Sequence, residues 1–469
     1  MLAVGGLFFP QAKSLGIDQT ETSPALQQKI TYAGITGRSF AEARDSLEHL
    51  ADLAVDVKQV ERLTERIGNE RVAERDAATA AFQTLPLVKK FAAPSRVTPP
   101  DLAVVMVDGG RLQILDRAVA AATVAHNPGV AEASTIPAAV AAAENPGVAA
   151  ASAPAASAPE PDWEEEPPPK KGHWREDKVG LLLSMKSEAS AADPCPNIPP
   201  SFLDVVRIPK LARQLKKNAR AGADAVADTD DPEAAEEALR VDAVYKPPAV
   251  ETRQVVASRQ RWPLFAPPLA AAAWALGFQE ASRKAFVGDG SANNWTLQRR
   301  FFGSFEPILD FIHALSYVFA AALAGRKFAE GWQLYQQWIG WIWQGKVGPV
   351  LEALRARQLE LGLPTAADAD TSPCQVVSKT LTYLENHQDK MKYDEYRKAG
   401  LPITSSLMES TVKQINQRVK GTEKFWSEGG SEAVLQLRAD HLSDGAILEA
   451  FWDRRQAEAT GQNRHRRSA

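Results

Sequence analysis

Two apolar runs in this chain end on an aspartate followed by glycine: AVVMV leads into Asp108-Gly109-Gly110, and AFVG into Asp289-Gly290. A third short run, PIL, ends on Asp310, with His313 three positions further on. Far downstream, SSLMESTVKQINQRV carries Glu409 beside an apolar stripe of Met408, Val412, Ile415 and Val419. Carboxylates on rigid elements are the ligands that magnesium prefers. Two such ions about 3.5–4 Å apart activate a water or hydroxyl and stabilise the leaving oxygen of a phosphodiester. Asp108, Asp289 and Glu409 form the set that two strand tips and one helix could assemble for this purpose. Each also has a plainer reading. Asp-Gly is ordinary turn chemistry, Glu409 precedes Lys413 at ion-pair spacing on a helix, and Asp310 with His313 could cap a strand end.

The elements that must position these groups are legible in outline. LAVVMVDGGRLQIL reads as a strand, an Asp-Gly-Gly turn and the start of a second strand. KAFVGDGSANNWTLQRRFFGSFEPILD reads as strand, turn, amphipathic helix and strand. Upstream, Ser39 and Glu42 stand at capping-box spacing and Asp56 suits an N-cap for VKQVERLTERIG, where Val60, Leu63 and Ile67 share a face. Two helices around a tight turn fit a helix-turn-helix or any other αα-hairpin. Lys58, Arg62 and Arg66 would be the basic residues of the second helix, diluted by Glu61 and Glu65. On the late helical segment Lys413, Arg418, Lys420 and Lys424 supply positive charge suited to phosphate.

Between the first two strand blocks the composition collapses into alanine, proline and serine over 117–171, where AHNPGVAEAS recurs as AENPGVAAAS. Both flanks are strand-like, so this insertion is expected to interrupt a hairpin of one sheet, at an entropic cost that rises slowly with loop length. The stripe Trp332, Tyr335, Trp338 and Trp341 is expected to be a helical packing face. Trp295 and Trp426 read as core aromatics, with base stacking as the alternative.

With 469 residues, 45% hydrophobic and 24% charged, the chain is long enough for two or three domains of globular composition. A net charge of −4 gives no global attraction for nucleic acid, so any such surface must be a local patch. Cys195 and Cys374 cannot supply a four-cysteine zinc site or a disulfide framework, which suits a reducing cytoplasm. The opening segment lacks a basic signal-peptide start, and no apolar run free of charge is long enough to span a bilayer.

In order along the chain, VVMVDGG, HWREDKVG, FVGDGSANNW, ILDFIHAL and YDEYRKAGLPITSSLMESTVKQINQRVKGTEKFW resemble the RNase H-like DDE transposases of bacterial insertion sequences. Within them the chain is most similar to the ISKra-type group, relatives of the Mutator-like enzymes, from about residue 15 to 452. The resemblance implies an α/β fold: an RNase H-like mixed sheet with a helical insertion domain, preceded by a helical, helix-turn-helix-like region. The expected divisions are a DNA-binding region at 1–95, the catalytic core at 96–311, the insertion domain at 312–400, core helices at 401–456 and a basic tail at 457–469.

It further implies that Asp108, Asp289 and Glu409 are catalytic ligands of two Mg2+ or Mn2+ ions, with Asp310 and His313 in support. Asp310 is the rival for the second catalytic carboxylate. The implied partners are double-stranded DNA at terminal inverted repeats and target sites, and a second copy of the chain when two ends are paired. The implied location is the cytoplasm, at the nucleoid. No Cys-x-x-Cys precedes the first helices, and Ser405-Ser406 stands where the family has Ser-Gly. A catalytically silent DNA-binding remnant is the alternative within the same resemblance, and a helical scaffold the alternative outside it.

Overall fold

The computed structural model describes residues 22–115, 163, 173–220, 246–421 and 423–460. Most of the low-complexity insertion, the acidic stretch that follows the basic helix, and residues 461–469 of the expected tail lie outside the described residues. A six-stranded mixed sheet forms the centre: Leu102–Ile114 (β1), Trp174–Lys186 (β2), Ala249–Ser258 (β3), Arg283–Gly288 (β4), Glu306–Leu309 (β5) and the two-residue Phe425–Trp426 (β6). Its order is β3-β2-β1-β4-β5, with β6 beside the far end of β1. The β1–β2 and β2–β3 pairs are antiparallel, whereas β1–β4 and β4–β5 are parallel.

β1 is central because its run Leu102 to Val107 is buried on both faces, the signature of a strand covered by helices above and below. Its antiparallel pairing with β2 runs from Leu102 opposite Met185 to Gln113 opposite Trp174, so the insertion does interrupt a hairpin of one sheet. The expected turn at Asp108-Gly109-Gly110 is not there: β1 continues straight through all three. Glycine serves close approach instead. A Cβ on Gly110 would stand 2.7 and 2.9 Å from the carboxylate oxygens of Asp177 and 3.0 Å from Oδ1 of Asn416.

The helices in chain order are Pro24–Thr36 (α1), Phe40–Ala51 (α2), Val57–Thr84 (α3), Leu87–Phe91 (α4), Arg207–Arg220 (α5), Trp262–Ala275 (α6), Ala292–Phe301 (α7) and Phe311–Leu323 (α8). They continue with Phe328–Trp343 (α9), Val347–Leu361 (α10), Pro373–His387 (α11), Tyr393–Lys398 (α12), Ser406–Val419 (α13), Glu428–Leu442 (α14) and Ile447–Thr460 (α15). Side chains alternate across a strand, and that parity assigns the layers. Gly180 of β2 would carry a Cβ 2.5 Å from Leu269, so α6 covers that face. Gly110 and Asp177, of the other parity, lie under Asn416, so α13 covers the face to which Asp108 belongs.

The N-terminal helices form as their caps foretell, with Ser39 accepting from the Glu42 N–H and Asp56 in a capping box with Gln59. α3 extends over 28 residues, well past the expected VKQVERLTERIG. Alanine and straight-chain charged residues carry it onward after the apolar stripe thins. These helices do not stand apart. Ile30, Leu47, Val60 and Ile67 share a core with Leu437, Phe451 and Trp452 from the other end of the chain. Arg71 of α3 pairs with buried Asp440 at 2.9 Å, and Arg75 with Glu432 at 2.9 Å. In α9, Tyr335 and Trp338 are buried, with Trp332 and Trp341 packed at the margin, so the aromatic stripe is a packing face. Among the described residues no helix is long and apolar enough to cross a membrane.

Candidate active site

The site begins at Asp310, which is fully buried. Its backbone N–H continues the β4–β5 ladder, donating to Gly288 O at 2.8 Å. Its side chain is saturated. Oδ2 accepts from the His313 N–H at 3.0 Å and lies 2.6 Å from His313 Nδ1, while Oδ1 accepts from the Ser405 N–H at 2.8 Å. The Ser405 side chain makes no capping bond of its own. One carboxylate therefore caps α8, orients an imidazole and fixes the entrance to α13.

Asp289 follows β4, and its Oδ1 accepts from Ser291 N–H at 2.9 Å and Asn294 Nδ2 at 2.8 Å. The same Asn294 amide also donates to Val107 O at 3.3 Å, tying the Asp289 tip to β1 beside Asp108. Asp108 Oδ1 accepts from the Gly109 N–H at 2.7 Å. Glu409 lies in the first turn of α13, beside the buried Met408 and Val412. Among the described residues the second oxygens of Asp108 and Asp289, and the whole Glu409 carboxylate, have no hydrogen-bond partner. Those three carboxylates retain open oxygens, and Asp310 does not.

The groups act on one another's ionisation. Burial, then repulsion from Asp289 and Glu409, pushes Asp108 up to about 7, against the Gly109 N–H and the His313 charge. Burial and the charge of Asp310 raise Glu409 above the usual range, with His313 and Lys413 opposing. Burial disfavours a charged His313, but the Asp310 hydrogen bond and charge, reinforced by Asp289 and Glu409, lift it to about 10. The Asp310 contact and the surrounding carboxylates thus favour the protonated ring of His313, whose Nε2 is directed away from Asp310. Among the described residues no group of three or more His, Cys, Asp or Glu side chains is placed so that it could hold a metal ion. The donor chemistry nevertheless fits a hard divalent cation, since open carboxylate oxygens that repel one another are what such an ion relieves.

The expected basic residues divide. Lys58, Arg62 and Arg66 are exposed along one side of α3, and Lys413 is exposed one turn beyond Glu409. Arg418 corrects the expectation of a phosphate contact: it is buried, lies over Phe40 at 4.4 Å and Trp426 at 5.0 Å, and donates to Gly34 O at 2.8 Å. Lys424 also turns inward, and its ammonium donates to Gln417 O and Arg418 O at 3.2 and 3.3 Å, capping the end of α13. Lys420 is half-buried and close enough to Asp177 to lower its pKa. Trp295 and Trp426 are both buried, as core aromatics.

Three residues around the site escape sequence reasoning. Tyr383 donates its hydroxyl to Asp289 O at 2.7 Å, and His387 Nε2 lies 3.1 Å from Gly290 O. Their spacing of four on TYLENH was the available signal. Asp177 is fully buried, and its carboxylate oxygens make no hydrogen bond among the described residues. Its parity with Val179 and Leu181 in REDKVGLLL marks it as inward-facing. Neither protein-family models nor curated proteins give a match to this chain.

Proposed function

We propose that the chain is a DNA transposase of the RNase H-like DDE type, which hydrolyses a phosphodiester at a transposon end and joins the freed 3′-hydroxyl to target DNA. What supports this reading is that the Asp108, Asp289 and Glu409 carboxylates, from β1, β4 and α13, lie near enough to one another and to the Asp310–His313 pair to act on each other's ionisation. An antiparallel meander, β3-β2-β1, extended by two parallel strands is also the strand order that an RNase H-like core requires.

Asp108, Asp289 and Glu409 would hold two Mg2+ or Mn2+ ions, which when bound make a water nucleophilic and offset charge on the leaving oxygen. His313, oriented by Asp310, is placed to donate a hydrogen bond to a phosphate oxygen. Asp310 is a positioning residue that holds His313 and the α13 entrance. Lys58, Arg62 and Arg66 on α3, with Lys413 and half-buried Lys420, are the residues left to contact phosphates of double-stranded DNA. Two copies of the chain would act together on paired ends.

The test is magnesium-dependent nicking of a supercoiled plasmid carrying the DNA that flanks this gene, by wild type and by Asp108→Asn, Asp289→Ala and Glu409→Gln. Nicking by wild type and loss in all three, with unchanged circular dichroism, is the expected result. Nicking that survives Asp289→Ala would remove the assignment. DNA binding without nicking in wild type would leave the silent remnant.

A further inference from the structure

Beside the tip of β4, helices α7, α8 and α11 border an open cleft of about 640 Å³, a size typical of a site for one small-molecule-sized group. Among the described residues its lining includes Arg299, Lys379 and Lys390 and no carboxylate, in a chain whose net charge is −4. Three rings along the wall are stacked. Tyr317 lies on Tyr383 at 3.9 Å and 11° between planes, and Tyr383 on His387 at 4.9 Å and 29°. The stack is fastened to the acidic site through the bonds from Tyr383 to Asp289 O and from His387 to Gly290 O. Gly290 permits this contact: its φ is +101°, and a Cβ there would stand 2.7 Å from the Tyr383 ring.

Two of the cations are available for an incoming anion. Arg299 is exposed, and its guanidinium contacts only Thr296 Oγ1, at 3.1 Å, among the described residues. Lys379 pairs with Asp370 at 2.7 Å, but the side chains are 53% and 78% exposed. Such a surface pair is easily exchanged for a phosphate. Lys390 is committed, bonded to Asp389 and lying over the Trp295 ring at 5.4 Å. The buried Trp295 indole N–H, in the same wall, has no partner among the described residues, an orphan donor that calls for one.

We infer that this cleft binds an unpaired nucleotide of the strand whose phosphodiester lies at the acidic site, with backbone phosphates on Arg299 and Lys379 and the base against the Tyr317–Tyr383–His387 stack. Aromatic faces accept any base, and flanking cations track the backbone. The inference rests on the function proposed above, but its test does not require that chemistry.

The test is fluorescence-anisotropy titration of the whole chain, in EDTA, with a short labelled single strand, the matching duplex, and a free mononucleotide as competitor. For Arg299→Ala with Lys379→Ala, both on exposed positions, single-strand affinity is expected to fall at least tenfold. The slope of log K against log salt should become shallower by about 1.4, for two phosphates on a single strand. Tyr317→Ala is expected to weaken binding by roughly fivefold to a hundredfold, the range of one lost base stack, whereas Tyr317→Phe keeps the ring and restores it. Wild-type affinity and slope in the double variant would overturn the inference. So would equal loss for duplex and single strand, or full displacement by the mononucleotide at matched concentration. Nicking retained with binding unmoved by these variants removes the cleft and keeps the proposed function. Binding lost as expected in a chain that never nicks keeps the cleft and removes the function.

Discussion

Replacing Asp177 with asparagine is expected to stabilise the protein, and to do so more as pH rises. Burial pushes this carboxyl from 3.8 up to about 7, with Glu176 adding to the shift and the Asp177 N–H, Lys178 and Lys420 opposing it. A shift of roughly 3 pH units corresponds to about 4 kcal/mol. The sign follows from proton linkage. Because the folded form holds its proton more tightly, ionisation costs nothing below about pH 3, where both states are protonated. The cost grows as pH rises and is complete above about pH 7. It stands near 2 kcal/mol at pH 5 and about 4 kcal/mol at pH 8, as an order of magnitude.

Asparagine has the same shape, carries no charge and brings an amide N–H2 toward Asn416 Oδ1, itself buried without a partner among the described residues. Urea denaturation of wild type and Asp177→Asn at both pH values measures the effect. The advantage of the variant should widen by about 2–3 kcal/mol from pH 5 to pH 8. Asp108, also raised to about 7, contributes to the pH dependence of both proteins and cancels in the difference. An advantage that does not change with pH, or a variant less stable at pH 8, would refute the reasoning.

Gly110→Ala places a methyl 2.7–3.0 Å from the Asp177 and Asn416 oxygens and is expected to cost about 1–3 kcal/mol by overpacking, read from the shift in urea midpoint. Asp310→Asn removes the charge and acceptor that raise His313, so the His313 ring should titrate at clearly lower pH in the variant than in wild type, read by NMR. Arg418→Ala removes a guanidinium held between Phe40 and Trp426 and its bond to Gly34 O. A loss of about 2–4 kcal/mol is expected by thermal or urea unfolding, whereas a phosphate-contacting residue would leave stability nearly unchanged.

What the sequence disclosed followed from how local the signal was. The β4–α7–β5 unit and the tip positions of Asp289 and Asp310 were readable because apolar runs, a turn glycine and helix periodicity all fall within KAFVGDGSANNWTLQRRFFGSFEPILD. The hairpin across the low-complexity insertion was readable because both flanks are apolar strands. Asp108-Gly109-Gly110 misled, since the same two glycines serve a turn or the close passage of Asp177, and only the partner strand decides between them. Strand β3 carries the polar, exposed to half-buried run ETRQ and buries only its last four residues, Val255 to Ser258, so its apolar block is too short to stand out. Arg418 and Lys424 went astray for a related reason. A cation written beside an apolar stripe looks solvated until the aromatic rings and carbonyl oxygens that receive it are known.

The grip of the first helices on the last ones also bears on how the chain is made. Gly34 and Arg418, joined by a buried hydrogen bond, are 384 positions apart. At about 5–20 residues per second a ribosome delivers the second of these roughly 20–80 s after the first. Throughout that interval the sticky faces of Ile30, Val60 and Ile67 have emerged without Leu437, Phe451 and Trp452 to cover them. Closure of this core is therefore a late event in synthesis. A nascent chain lacking α14 and α15 needs shielding of these faces, and removing α1 takes away the Gly34 carbonyl that receives Arg418 of α13.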